Sequence, residues 1–198
     1  MSDATMQEQE AFGETREAHE RIDRVGYSLL GGATVMFFLG FVFAYFYLRS
    51  LDSNELWRPA GVSPPAGYGI AIAASLALSA IAFGYAARVA RQGRGGWVAP
   101  TGLALALGLF ACVAQMVEYA NIPFGPQSGG YASVFFGWTT LYVVATLLAL
   151  YRLETVFAGG LRRRGDTDEA PEGFTPSANY WALLAGIGIL AWIVLYLV

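Results

Sequence analysis

Few side chains in this sequence are equipped for chemistry, and two carboxylates stand out among them. Glu118, in the run Gln115-Met116-Val117-Glu118-Tyr119, and Glu154, close to Arg152, are the acids that approach the interior of long apolar stretches. An ionisable group at membrane depth is costly, so it is a candidate for proton handling or ligand binding. Glu154 lies near the end of its stretch beside Arg152, where an interfacial structural role is expected. Glu118 has no Arg within a helical turn, so its partners must come from another helix, a loop or a lipid headgroup. A functional and a purely structural role are equally open for it. The only histidine, His19, falls in a polar N-terminal region. The only cysteine, Cys112, sits in a stripe of small residues and reads as a packing residue. With no imidazole in an apolar stretch, haem, copper and most intramembrane metal sites lack a ligand set. No Ser/His pair, phosphate-cradling glycine loop or cysteine pair is present either. We therefore expect no catalytic, cofactor-binding or metal-binding residue in this chain. Two isolated carboxylates do not make the relay that a proton pump needs.

The elements that would hold these residues are membrane helices. The 198 residues are 56% hydrophobic and only 14% charged, against roughly 25% charged in ordinary soluble domains. A hydrocarbon core about 30 Å thick needs about 20 apolar residues in a helix, which satisfies its own backbone groups. Five stretches qualify, at residues 25–48, 67–87, 100–119, 131–157 and 179–198. Proline, glycine and charge mark the connections at 50–65, 91–96, 121–130 and 162–176. The expected fold is all-α, a polytopic bundle of five transmembrane helices over residues 25–198, preceded by a polar cytoplasmic tail over 1–24. That tail carries seven acids against three Arg and lacks the pattern of a cleavable signal. Glu17–Arg21 and Glu20–Arg24, spaced i,i+4, would support a marginal helix within it.

Orientation follows from the arginines, which supply all twelve basic residues. Ten fall in the N-terminal tail and around the second and fourth connections, and only Arg49 and Arg58 lie on the other side. The positive-inside rule puts the N-terminus in the cytoplasm and the C-terminus outside. Trp57, Trp97, Tyr119, Tyr131, Tyr180 and Trp181 fall near the expected interfaces, as an aromatic belt would. A net charge of −3 without a basic stripe excludes nucleic-acid binding. Small-xxx-small pairs at Ala73/Ala77, Ala80/Gly84, Ala104/Gly108/Cys112 and Ala182/Gly186 allow helices to approach closely. The first helix instead crowds Phe37, Phe38, Phe41, Phe43, Tyr45, Phe46 and Tyr47 around its circumference. That fits either core packing or a large interface with a partner subunit.

Taken in order, these residues resemble a family. Gln115-Met-Val-Glu118-Tyr119, Pro123-Phe124 and Gly130-Tyr131-Ala-Ser133-Val-Phe135-Phe136-Gly-Trp138-Thr139 resemble the junction between two helices of subunit III of the haem–copper terminal oxidases. Val35-Met-Phe37-Phe38, followed by Ala44-Tyr-Phe-Tyr-Leu-Arg49, is similar to that family's first conserved helix with the Arg at its outer end. Tyr180-Trp181 resembles the start of its last helix. Five helices look like the short bacterial form of the subunit. The resemblance implies a non-catalytic accessory subunit of a proton-pumping cytochrome c or quinol oxidase in a prokaryotic cell membrane. Its partners would be the catalytic subunit I, which holds the haems and copper and reduces O2, and other oxidase subunits. This chain would hold no cofactor beyond bound phospholipid. It would brace subunit I, bind lipid in a cleft and offer O2 an apolar route. Phe37, Phe38, Phe41 and Tyr45 would form interface or cleft lining, and Gln115, Glu118 and Tyr119 a polar knot against the Pro123-Phe124 loop.

The departures are as informative. Thr34, Tyr142, Ala145, Ala182 and Ala185 stand where the family usually carries buried acids or histidines, so proton-handling roles are not carried over. Other readings are a related accessory subunit of a nitric oxide reductase, a stand-alone transporter and a membrane scaffold without a respiratory link. A transporter would call for polar residues at the midplane, broken helices or internal repeats. The second and third helices offer mainly Ala, Leu and Ser.

Overall fold

In the computed structural model, residues 16–52, 56–93, 96–162 and 173–198 are described, with side chains from residue 21 onward. Each apolar stretch forms one helix: α1 Arg16–Ser50, α2 Ala66–Arg91, α3 Val98–Asn121, α4 Gly130–Arg162 and α5 Phe174–Trp192. A π-helical turn, Ile193–Leu197, completes α5. All five are long and apolar enough to cross a membrane, and no strand occurs among the described residues. The last residues of the expected tail are helical, as the opening turns of α1, which runs unbroken from Arg16 into the apolar segment. Residues 1–15, the side chains of Glu17, His19 and Glu20, and Asn54, Glu55, Arg94, Arg163 and Arg164 lie outside the description.

Composition decides the packing order. The alanine-rich face of α2 packs most extensively on α3 and next on α5, while α1 lies at the periphery against α4 and α5. Ala104, Gly108 and Cys112 form the buried stripe of α3. A Cβ on Gly108 would stand 2.8 Å from both Leu150 Cδ2 and Trp181 Cζ2, so glycine is what lets α4 and α5 close on α3 there. The Ala182/Gly186 pair does not behave this way. Both residues face outward, and a Cβ on Gly186 would meet nothing within 4 Å.

Four of the six residues expected in an aromatic belt turn inward, whereas Tyr119 and Tyr180 are partly exposed. Trp57, Trp97, Tyr131 and Trp181 are all buried within the protein. At one end Tyr45, Trp57 and Tyr131 pack edge to face, with ring centroids 5.1 and 5.9 Å from Trp57. At the other, Phe174 sits between Phe83 at 5.1 Å and Trp97 at 5.3 Å. Edge-to-face pairs of this kind exploit the ring quadrupole as well as the contact area.

The first connection clamps the start of α4. The N–H groups at the beginning of a helix have no partners inside it. Here Gly130 N donates to Leu56 O at 3.2 Å and Tyr131 N to Trp57 O at 2.8 Å. The Arg58 guanidinium lies 4.4 Å from the Tyr131 ring centre and donates through Nε to Val62 O at 3.0 Å. The loop is thereby part of the bundle.

Gly108→Val should overpack this contact and destabilise the protein by about 1–3 kcal/mol, read as a lower midpoint in a denaturing-detergent titration. Gly186→Val, made as its control, should leave the midpoint nearly unchanged.

Candidate functional site

Glu118 projects from the last turns of α3 into the protein and is fully buried. Among the described residues its carboxylate pairs with no cation. Gln115, one turn earlier on the same helix, donates from Nε2 to Oε2 at 2.7 Å. Tyr196, in the π-turn of α5, lies 2.7 Å from Oε1 and 2.8 Å from Oε2, so its single proton is shared between the two oxygens. Wider π-turns often occur where a side chain must be re-aimed at a functional position. Close approach of α2 makes room for this one, since a Cβ on Gly69 would stand 2.7 Å from both the Trp192 and Tyr196 rings. The arrangement ties α3 to α5.

The expected knot therefore forms with a different membership. Tyr119 points to α4 instead, donating to Thr139 Oγ1 at 2.5 Å, because the Thr139 proton is already given to Phe135 O. Phe124 packs on Phe135 and Phe136 rather than on the carboxylate. Sequence reasoning missed Tyr196 altogether. Its only sequence signal is a hydroxyl within a strongly apolar terminal run, and the π-turn that aims it has no signature of its own.

Tyrosines make the other long-range polar contacts. Tyr131 OH donates to Leu195 O at 2.6 Å, capping a carbonyl at the end of α5. Tyr142, at a departure from the family pattern, donates to Leu184 O at 2.9 Å, beside the buried Ala185. Thr34 gives its proton to Leu30 O at 2.7 Å and accepts one from Tyr180 OH at 3.2 Å. Trp181 Nε1 donates to Ser79 Oγ at 3.0 Å, and Ser79 in turn donates to Ala104 O at 2.7 Å, linking α5, α2 and α3.

The aromatic residues of α1 divide among several environments. Phe38 and Tyr45 are core residues. Phe41 is partly buried and stacks on Trp138 with centroids 6.0 Å apart. Phe37 is half exposed, and Phe43 stacks on Tyr47 on the outer face. Arg49 donates to Val198 O at 3.0 Å, joining the ends of α1 and α5.

None of these α1 aromatics lines the apolar cleft of the bundle. That cleft, of about 310 Å³, opens at the opposite end of α1, among Tyr27, Leu30, Leu148, Arg152 and Tyr180. Ala145 forms part of its wall. A polar relay runs along the rim. Arg152 Nε donates to Tyr27 OH at 3.3 Å, Tyr27 to Ser177 Oγ at 2.8 Å, and Ser177 to Gly173 O at 2.7 Å. The cleft is an apolar slot with one guanidinium at its mouth.

No cluster of three or more His, Cys, Asp or Glu side chains occurs among the described residues. The fold and site thus define a polytopic helical membrane protein whose buried carboxylate is bound up in helix-to-helix hydrogen bonds. Comparison with known proteins gives the family. The description Cytochrome c oxidase subunit III matches residues 3–198, and the chain belongs to that family. It is 28% identical over 184 residues to cytochrome c oxidase subunit 3 of Cyprinus carpio, covering 87% of this chain and 68% of that protein. The subunit of Oncorhynchus mykiss is also 28% identical over 184 residues, with the same coverage. That of Neotragus moschatus is 26% identical over 179 residues, again with 87% and 68% covered. As a member, the chain is an accessory subunit of an oxidase.

Removing the carboxylate should separate its structural roles. Glu118→Leu leaves the Tyr196 hydroxyl and the Gln115 amide unpaired, at about 1–3 kcal/mol for each buried group. Glu118→Gln keeps an acceptor for one of them and should lose less. Thermal unfolding in mild detergent reads the difference, and equal losses in the two variants would mean that the hydrogen bonds contribute nothing.

Proposed function

We propose that the chain is the five-helix accessory subunit of a haem–copper terminal oxidase that reduces O2. In this reading it braces the catalytic subunit I and holds a membrane phospholipid. The observation that carries the first part is family membership across residues 3–198, which leaves no room for a separate catalytic domain within that span. The haems and copper belong to subunit I, and electron transfer and O2 chemistry take place there. The contribution of this chain is contact area and ordered lipid.

The cleft supports the lipid role. An acyl chain fits an apolar slot between α1, α4 and α5, and a phosphate matches the planar donor fork of Arg152. Tyr27 and Tyr180 add hydroxyls at the same level. Juxtamembrane Arg residues attract anionic headgroups by about 1 kcal/mol each. Subunit I would seat on the outer face of α1, where Met36, Phe37, Phe43 and Tyr47 are left uncovered by the rest of the bundle. The arginine distribution supports a cytoplasmic N-terminus and an outer C-terminus, in a prokaryotic cell membrane.

The subunit role is tested by extracting the tagged protein from its own membrane in mild detergent and recording an absorption spectrum. Haem that co-elutes in fixed ratio to the chain supports the assignment, and a colourless preparation rejects it. The lipid role has its own readout. Arg152→Leu should lower the anionic phospholipid retained per chain, measured by mass spectrometry of the purified complex, without changing the haem ratio.

A further inference from the structure

A second, smaller cavity lies beside the Glu118 knot, and its walls carry an unusual hydrogen-bond inventory. It measures about 20 Å³ and is bordered by Gln115, Thr139, Tyr142, Trp192 and Tyr196, with Gly188 and Ala191 leaving the space open. A cavity of that size accommodates one water molecule, provided it supplies two to four polar partners.

The partners can be counted. Trp192 Nε1 is buried and has no acceptor in the protein. The indole N–H can only donate, and a buried donor left unpaired costs about 1–3 kcal/mol. The three hydroxyls on the wall have already committed their protons. Thr139 donates to Phe135 O, Tyr142 to Leu184 O and Tyr196 to Glu118. Gln115 gives an Nε2 proton to Glu118, and among the described residues no donor reaches its carbonyl oxygen. The cavity thus presents the unspent indole N–H of Trp192, the second Nε2 proton of Gln115 and several oxygens able only to accept. A metal ion would suit the oxygens but not the indole N–H. Water suits both, because it accepts and donates twice.

We propose that this cavity is a binding site for a single ordered water molecule. The water accepts from Trp192 Nε1 and donates to the Gln115 carbonyl oxygen and to the Tyr142 oxygen. Tyr142 is the better second acceptor, since Thr139 Oγ1 already receives the Tyr119 proton. The water joins α3, α4 and α5 in one network and, through Gln115, becomes the outer support of the Glu118 carboxylate. This site does not depend on which oxidase subunit the chain contacts.

The direct test is a cryo-electron-microscopy map of the wild-type protein, in whatever assembly it leaves the membrane, at a resolution that shows internal waters. Density within hydrogen-bond distance of Trp192 Nε1 and the Gln115 side chain supports the site. Its absence from a map that shows other internal waters overturns it. A spectroscopic test uses ultraviolet resonance Raman differences between wild type and the variants Trp192→Phe and Trp138→Phe. Trp138 Nε1 is also buried without an acceptor, but Trp138 is not on this cavity wall. The indole band assigned to Trp192 should therefore be shifted to the hydrogen-bonded position relative to that of Trp138. Coincident bands at the unbonded position would overturn the proposal. If either variant fails to accumulate, the wild-type map still decides.

Discussion

In hydrocarbon a polar atom must find its partner within the protein, and this one constraint organises the bundle. Lipid tails are as apolar as leucine, so burying apolar surface gives helices little reason to associate. Small residues that permit contact and polar groups that require each other take over that task. Each interhelical hydrogen bond in such a setting contributes only about 0.6 kcal/mol on average. A network of them still selects one arrangement, because any slip of a helix strands several donors at once. Tyrosine is the preferred tool here. Its ring packs like any aromatic, and its hydroxyl reaches a carbonyl or carboxylate on the next helix, as Tyr131, Tyr142 and Tyr196 all do from fully or partly buried positions.

The two ends of the molecule use polar groups differently. Near the π-turn of α5, hydroxyls, an amide and a carboxylate satisfy each other inside the protein, and the charge-bearing group is hidden. Near Arg152 the polar groups form a rim around an apolar slot and leave a guanidinium facing its mouth. The first arrangement fixes helices, and the second presents a surface. Both lean on small residues elsewhere: Gly69 admits the Trp192 and Tyr196 rings, and Gly108 lets Trp181 approach α3.

The sequence conveyed the helices well because spanning a bilayer is a matter of length and composition, both of which are local. It conveyed the connections too, through proline and glycine. What it conveyed poorly was direction. The tryptophans near segment ends look alike whether they face headgroups or a neighbouring helix, and Trp57, Trp97 and Trp181 turned out to face helices. Ala182/Gly186 has the same spacing as Ala104/Gly108, yet only the second lies between helices. The Gln115–Glu118 pair was visible from its i,i+3 spacing. Its partner Tyr196, 78 residues away, and the separation of Tyr119 from the pair depend on tertiary placement. So does the position of the cleft, which none of the bulky α1 residues singled out by type turned out to line.

The peripheral place of α1 has a consequence for biogenesis. The helix α1 is held by α4, through Arg152 to Tyr27, and by α5, through Tyr27 to Ser177, Thr34 to Tyr180 and Arg49 to Val198. It emerges from the ribosome ahead of the helices it must join, and α2 and α3 pair with each other in the interval. Until α5 is made, Ser28 and Thr34 have carbonyls of α1 itself to donate to. Closure is delayed until the fifth span arrives. A ribosome stalled after the fourth would leave α1 without its hydrogen-bond partners on α5, exposed to quality-control proteases.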